Sequence, residues 1–177
     1  MTGRSAKASS SAPGAPASWT RSDRLLCDEM LIGLGRWLRA AGYDTAIAEG
    51  RGGDRALLET ARREGRTLLT RDAKIMEIGG AEDSTLLLSG AGLGAWAAEI
   101  GAALGIEWLK APFSRCLLCN LPLDAAPEAT HALLPESAKA LAAEATWCRA
   151  CAKAYWPGSH VARMRRRLEA WHDGRYS

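Results

Sequence analysis

Four cysteines in this chain have the spacing of a metal site. They form two Cys-x-x-Cys pairs, Cys116 with Cys119 and Cys148 with Cys151, which are separated by 28 residues. Each pair can hold one tetrahedral ion from a tight turn, and two pairs complete a four-thiolate shell that leaves no position open for a substrate. The alternative is four unrelated thiols that fall into two short repeats by chance. The spacing predicts a structural zinc ion held in a zinc ribbon.

Three aspartates are the second set of candidate residues, and their chemistry is different. Asp28 and Asp72 each follow a predicted strand, and Asp54 stands at the start of a predicted helix. Taken singly, each has an ordinary explanation, because Asp is a preferred helix N-cap. Carboxylates that converge repel one another, however, and are tolerated chiefly where a divalent cation neutralises them. Both interpretations stay open for each residue alone.

A site built only from carboxylates favours a hard ion, Mg²⁺ or Mn²⁺. Such an ion can orient a water for in-line attack on a phosphodiester, lower the pKa of that water and stabilise charge on the leaving oxygen. The chain has neither a Gly-x-x-x-x-Gly-Lys loop nor a Ser-His-Asp arrangement, and its three histidines lie downstream of the predicted α/β region. These observations favour metal-dependent phosphoryl chemistry over acyl transfer or nucleotide triphosphate hydrolysis.

The segments that must position the aspartates alternate between short apolar runs and helical patterns, which is typical of a parallel sheet covered by helices. The ligand site of such a sheet lies beyond the carboxyl ends of its strands, so we expect the three aspartates at that edge. Gly42 is placed to end the first full helix. The predicted strands are 24–27, 44–48, 67–70 and 85–88, with a short fifth near 106–109, and the predicted helices are 30–41, 54–64, 72–78 and 93–104.

Composition and charge restrict the class of protein. With 47% hydrophobic and 24% charged residues over 177 positions, we expect a soluble globular protein of two units. No run approaches the roughly 18 apolar residues of a membrane span, and the N-terminus lacks a secretory signal, so we expect a cytoplasmic protein without a membrane partner. The net charge of +3 is small, but both ends are basic and the middle is acidic.

Several segments of the chain carry a family resemblance. They include Leu-Leu-Cys-Asp-Glu-Met at 25–30, Leu-Leu-Thr-Arg-Asp at 68–72, Cys-Leu-Leu-Cys-Asn at 116–120 and Trp-Pro-Gly-Ser-His at 156–160. Together they closely resemble the Mut-seven C-terminal RNase family, in which a PIN-like nuclease domain is fused to a zinc ribbon. The resemblance implies an α/β fold with a PIN-like parallel sheet flanked by helices, a Mg²⁺- or Mn²⁺-dependent acidic site, and RNA as the substrate.

The resemblance also implies roles for individual residues. Asp28, Asp54 and Asp72 become the catalytic acids and the ligands of the Mg²⁺ or Mn²⁺ ion, and the hydroxyl of Thr70 supports them. PIN nucleases often add a fourth acid after the fourth strand, where this chain has none. Glu29 is the candidate that would substitute for it.

Basic residues are the candidate RNA contacts. Arg71 either clamps a phosphate or pairs with a neighbouring carboxylate. On the first helix, Arg36 and Arg39 either line the RNA path or solvate the helix. His160 either contacts RNA or neighbours a helix cap. The remaining candidates form a basic cluster near the C-terminus, at Arg163, Arg165, Arg166 and Arg167.

These patterns divide the chain into a disordered tail at 1–22, a PIN-like nuclease domain at 23–111, a zinc ribbon at 112–160, and a basic C-terminal helix and tail at 161–177. The predicted function is that of a metal-dependent ribonuclease whose ribbon assists RNA binding. The alternative is an RNA- or ribosome-binding module of the same fold with little or no catalytic activity. A third interpretation, a receiver-like phosphoacceptor using Asp28 or Asp72, lacks the lysine expected after a later strand.

Overall fold

A four-stranded parallel sheet lies at the centre of the chain. The computed structural model describes residues 23–48, 50 and 52–177, so the predicted tail at 1–22 lies outside the described residues. The strands are β1 (Arg24–Cys27), β2 (Asp44–Ile47), β3 (Thr67–Thr70) and β4 (Thr85–Leu87). They are arranged in the order β2-β1-β3-β4, and every pairing is parallel. The predicted α/β fold is confirmed.

The two central strands are apolar on both faces. Leu25, Cys27 and Leu69 belong to one hydrophobic core, whereas Leu26 and Leu68 belong to a second one on the opposite face. This division follows from the two-residue period of a strand, which points successive side chains to opposite sides. A continuous apolar run is what a strand covered on both faces requires.

Helices cover both faces of the sheet. Helices α1 (Ile32–Ala41) and α3 (Leu93–Leu104) pack on one core, and α2 (Gly53–Glu64) packs on the other. Helix α1 ends, as predicted, at Gly42, whose φ of 102° is in the left-handed region that suits glycine. Within the described part of the chain, no helix is long and apolar enough to cross a membrane.

Three predicted elements differ from those in the structure. The helix predicted at 30–41 begins with a separate 3-10 turn at Glu29–Leu31, and the helix predicted at 72–78 is a 3-10 turn at Ala73–Glu77. The strand predicted at 106–109 is wrong, because these residues are irregular and pair with no strand. Trp108 in that segment is only 1% exposed. A short apolar run can be buried without strand pairing, and periodicity alone does not separate the two cases.

The cysteine-rich segment folds around a small antiparallel sheet. Its strands are β5 (Asp124–Ala125), β6 (Thr146–Cys148) and β7 (Lys153–Tyr155), in that order. Two 3-10 turns, Glu128–Leu133 and Glu136–Glu144, connect β5 to β6. The sheet and the four clustered cysteines are consistent with the predicted zinc ribbon.

The C-terminal helix α4 (Ser159–His172) packs into the core formed by α1 and α3. Met164, Leu168 and Trp171 are buried at helical spacing along one face. The ring of Trp171 lies 5.1 Å from that of Trp37 and 4.7 Å from that of Trp108, measured between centroids. The helix predicted within 161–177 thus shares its core with the domain predicted at 23–111.

Candidate functional site

Two of the candidate aspartates are linked at the carboxyl edge of the sheet by one threonine. Asp28 directly follows β1, and Thr70 is the last residue of β3, its neighbour in the sheet. The Thr70 hydroxyl donates to Asp28 Oδ2 at 2.8 Å. The hydroxyl oxygen of Thr70 in turn accepts a hydrogen bond from the backbone N–H of Asp72 at 3.0 Å. Thr70 is fully buried and Asp28 is 9% exposed. One hydroxyl thereby fixes the position of both acidic residues.

The structure separates helix capping from other roles for these acids. Asp72 is a cap, since its Oδ1 accepts the backbone N–H of Lys74 at 2.9 Å at the start of a 3-10 turn. Asp28 also precedes a 3-10 turn, but its carboxylate makes no capping hydrogen bond. Asp54 lies in the first turn of α2, whose N-cap position is occupied by Gly52. Capping therefore accounts for Asp72 alone.

Asp54 lies in a separate cavity of about 530 Å³. The cavity lies between α2 and the 3-10 turn at Ala73–Glu77. Lys74 connects this cavity to the sheet edge, because it lines the cavity and its backbone N–H donates to the carboxylate of Asp72. Within the described residues, the four cysteines are the one group of three or more metal-ligating side chains close enough to share an ion. The three aspartates are thus not gathered as closely as the cysteines. Besides Asp54 and Lys74, the cavity is lined by Arg55, Leu58, Glu59, Arg62, Glu77, Ile78 and Gly79.

The other two supporting candidates lie just after strands of the sheet, Arg71 in the loop after β3 and Glu29 in the 3-10 turn after β1. Arg71 is exposed beside Asp72, and its guanidinium lies 5.3 Å from the ring centroid of Trp96 on α3. This cation–π contact orients the arginine without neutralising its charge. Glu29 is exposed, and its carboxylate lies against Gly50 in the loop after β2.

One further acid near this edge, Glu99, was not predicted from the sequence. Glu99 on α3 folds back to the loop that follows β4, where its carboxylate accepts the backbone N–H groups of Ser89 at 2.9 Å and Gly90 at 2.5 Å. The indole N–H of Trp96 donates to the carbonyl of Gly90 at 2.7 Å. A signal was available, because Glu99 is the one charged residue in the sequence of Leu93–Leu104. Glu99 holds the shape of the loop that lacks its own acid.

The four cysteines form a compact metal-ligand set. Their sulfur atoms all lie within 4.8 Å of one another. Burial raises the pKa of Cys116, but hydrogen bonds from the Tyr155 hydroxyl and from the amides of Cys119 and Leu118 outweigh it and bring the pKa to about 6. A hydrogen bond with Cys119 and burial raise the pKa of Cys151 to about 12. Thiolates this close together repel one another, and a bound cation would relieve that repulsion. The four cysteines can therefore hold a metal ion such as zinc.

Arg39, one of the predicted RNA contacts, is buried against the first cysteine pair. It is 5% exposed, and its guanidinium donates to the carbonyls of Leu117 at 3.0 Å and Leu118 at 2.7 Å, both between Cys116 and Cys119. A third bond reaches the carbonyl of Thr45 in β2 at 2.8 Å. The structure corrects the surface position expected for this arginine: it links α1, β2 and the ribbon.

The other predicted RNA contacts are exposed. Arg36 lies on α1. Arg165 lies over the ring of Phe113, at 5.3 Å from its centroid. The rest line one cavity of about 500 Å³ between α1 and α4, and they are His160, Arg163, Arg166 and Arg167.

The family model of the Mut7-C RNAse domain matches residues 23–168, which include the parallel sheet, all four cysteines and most of α4. No curated protein matches the chain.

Proposed function

Because this chain belongs to the Mut7-C RNAse domain family, we propose that it is a metal-dependent ribonuclease that hydrolyses RNA phosphodiester bonds at the carboxyl edge of its parallel sheet. The observation that best supports this proposal is the hydrogen-bonded series of Asp28, Thr70 and Asp72. It joins the carboxylate of Asp28 to the backbone of Asp72 at the edge where open α/β sheets bind their ligands.

The chemistry of these residues fits a hard divalent ion. Asp28 is almost buried, and the partner that its carboxylate has among the described residues is the neutral hydroxyl of Thr70. A carboxylate in such a place is costly unless a cation compensates its charge. Asp28 and Asp72 would hold Mg²⁺ or Mn²⁺, and Asp54 would complete the site from α2. When bound, the ion supplies Lewis-acid activation of a water and stabilises charge on the leaving oxygen.

The protein's own residues then have distinct tasks. Thr70 orients Asp28 while it tethers the backbone at Asp72. Arg71 directly precedes Asp72 in the sequence, and its guanidinium lies over the ring of Trp96. This exposed guanidinium would bind a substrate phosphate. Glu29 would supply an additional acid from the 3-10 turn after β1. The four cysteines would hold structural zinc, and the ribbon would help to position RNA.

A second candidate function is an RNA- or ribosome-binding module with little or no catalysis. The observation that favours it is the place of Asp54, which lines a cavity apart from the bonded pair of aspartates. A site with two acids and no third would hold a catalytic ion weakly.

Isosteric variants distinguish the two functions. We expect Asp28→Asn and Asp72→Asn to lower the rate of RNA cleavage in Mn²⁺ at least about 100-fold, as loss of one charge-stabilising group does in other enzymes. Both changes keep the observed hydrogen bonds, because an amide oxygen can accept from Thr70 and from the Lys74 amide. The assay uses end-labelled single-stranded and structured RNAs with the zinc-loaded protein.

Thermal unfolding provides the second measurement. Without added Mn²⁺ we expect unchanged or higher stability in the two variants, and a smaller gain on adding Mn²⁺, because that gain depends on affinity for the ion. Asp83→Asn is the matched control, since Asp83 is exposed in the 3-10 turn that precedes β4. Variants that cleave RNA and respond to Mn²⁺ as the wild type does would refute the acidic site. Wild-type protein that binds RNA without cutting it would support the binding module.

A further inference from the structure

A groove between α1 and α4 combines positive charge with aromatic surface. Its volume is about 500 Å³. Trp37 forms the α1 wall, and the guanidinium of Arg167 lies 5.9 Å from the Trp37 ring centroid and 5.8 Å from that of Trp171. The residues that matter for its chemistry are Trp37, His160, Arg163, Arg166, Arg167 and Trp171.

The packing of α4 explains why these arginines face the groove. Met164, Leu168 and Trp171 turn into the core, so the flank of the helix that meets α1 carries Arg163 and Arg167. Arg165 lies on the other flank, over Phe113, and does not line the groove. The helix therefore has two distinct basic sides.

The groove is lined by several arginines and by no acidic side chain. Its lining contains no aspartate or glutamate, and the last residue of the chain, Ser177, lies at its border. Among the described residues, Arg163 and Arg166 form no ion pair or side-chain hydrogen bond. Several like charges in a concave surface attract an anionic ligand and raise its local concentration. Guanidinium groups in particular match phosphate oxygens in geometry.

We infer that this groove is a binding subsite for single-stranded RNA, in which Arg163 and Arg166 contact phosphates and an unpaired base stacks on Trp37. The inference rests on the proposed function for its substrate class. An unpaired strand is favoured because a base can reach an aromatic wall only when it is free of its own stack. The volume is in the range of small-ligand sites and suits one or two nucleotides.

Salt dependence tests the phosphate contacts. The probe is a short fluorescein-labelled oligouridylate, and binding is followed by anisotropy without Mn²⁺, so cleavage does not interfere. Each phosphate contact on a single strand contributes about 0.7 to the slope of log affinity against log salt, so we expect Arg163→Ala combined with Arg166→Ala to reduce the slope by about 1.4. Arg63→Ala is the matched control and should keep the wild-type slope, because Arg63 is exposed on α2, which packs on the opposite face of the sheet, and does not line the groove. A double variant with the wild-type slope, or an equal loss with Arg63→Ala, would overturn the subsite.

Base stacking has its own test. The wild type should bind oligouridylate at least about fivefold more tightly than an abasic oligomer of equal length, the size of one base–aromatic contact. Trp37→Leu should remove this preference and leave the salt slope in place. Equal competition by oligoglutamate would also contradict the inference, because it would indicate an acidic protein partner. Cleavage is assayed separately in Mn²⁺, so an inactive wild type would count against the proposed function and not against the groove.

Discussion

At the scale of single residues, Thr70 is the centre of the candidate site. Its hydroxyl uses both its hydrogen-bonding functions, as donor to Asp28 and as acceptor from the Asp72 amide. The residue is fully buried at the last position of β3. Because no other hydroxyl joins the two aspartates in the described residues, Thr70 acts as a positioning residue for the proposed reaction.

We predict that Thr70→Val, which keeps the shape and removes the hydroxyl, lowers both stability and activity. The carboxylate of Asp28 would lose its partner, at a cost of about 1–3 kcal/mol in the free energy of unfolding. Cleavage should fall by about 10- to 100-fold, as it does when other groups that orient a metal ligand are lost. Urea denaturation and the Mn²⁺-dependent cleavage assay give the two values.

Two further variants control this prediction. Thr70→Ser keeps the hydroxyl and should restore most of the activity. Thr85→Val on the neighbouring strand is the matched structural control, because the Thr85 hydroxyl is buried without a partner among the described residues. Its replacement should be neutral or stabilising. Equal losses in Thr70→Val and Thr85→Val would mean that the Thr70 hydroxyl has no special role.

At the scale of elements, the first cysteine pair covers the open edge of the sheet. Strand β2 is an edge strand, and its Thr45 N–H donates to the side chain of Asn120 at 3.0 Å. Asn120 in turn donates to Asp44 at 2.7 Å. Edge strands with free backbone groups invite pairing with other chains, so this cover protects the sheet. Arg39 adds three bonds to carbonyls of the same region.

We predict that Arg39→Met destabilises the protein by at least about 2 kcal/mol, because it leaves one buried and two partly buried carbonyl groups without their donor. Arg36→Met is the matched control, since Arg36 is exposed on the same helix and should change stability by less than about 0.5 kcal/mol. Chemical denaturation, followed by circular dichroism, measures both.

The same contact predicts coupling between the metal and the parallel sheet. Removing the ion should loosen the loop that offers carbonyls to Arg39, so chelation should lower the stability of the wild type more than that of Arg39→Met. Equal effects of chelation on the two proteins would show that the cysteine loop keeps its place without the metal.

At the scale of the whole molecule, three distant parts of the chain meet at one aromatic cluster. Trp37 from α1, Trp108 from the segment after α3 and Trp171 from α4 pack together. Trp108 and Trp171 are each 1% exposed. The C-terminal helix therefore closes the core of the parallel-sheet unit, and the ribbon lies between two parts of the chain that share this core.

We predict that Trp171→Ala costs about 3–5 kcal/mol in the free energy of unfolding, the range for a large aromatic truncated in a core. His172→Ala, at the exposed next position, should have almost no effect. If α4 were an appendage, Trp171→Ala would leave the unfolding transition of the parallel-sheet unit in place. Tracking that transition by circular dichroism in urea decides between the two arrangements.

Several features of this protein were determined by the sequence itself. The central strands, the end of α1 at Gly42 and the grouping of the four cysteines all agree with the predictions. Each depends on residues that are close in the chain: the two-residue period of a buried strand, a backbone angle that glycine tolerates, and paired thiols in a tight turn.

Other features were decided only by the tertiary structure. The pattern of α1 marks Arg39 as a polar position, but the carbonyls that bury it stand 78 and 79 positions away in the sequence. Tertiary packing also decided the surroundings of three other residues. Glu99 bonds to the loop that precedes its own helix, and Asp54 lines a cavity together with Lys74. Trp108 is buried although it belongs to no strand. Local periodicity states which face of an element is polar. Which segment then covers that face depends on how the elements pack, because contacts between distant residues form only when the whole chain folds.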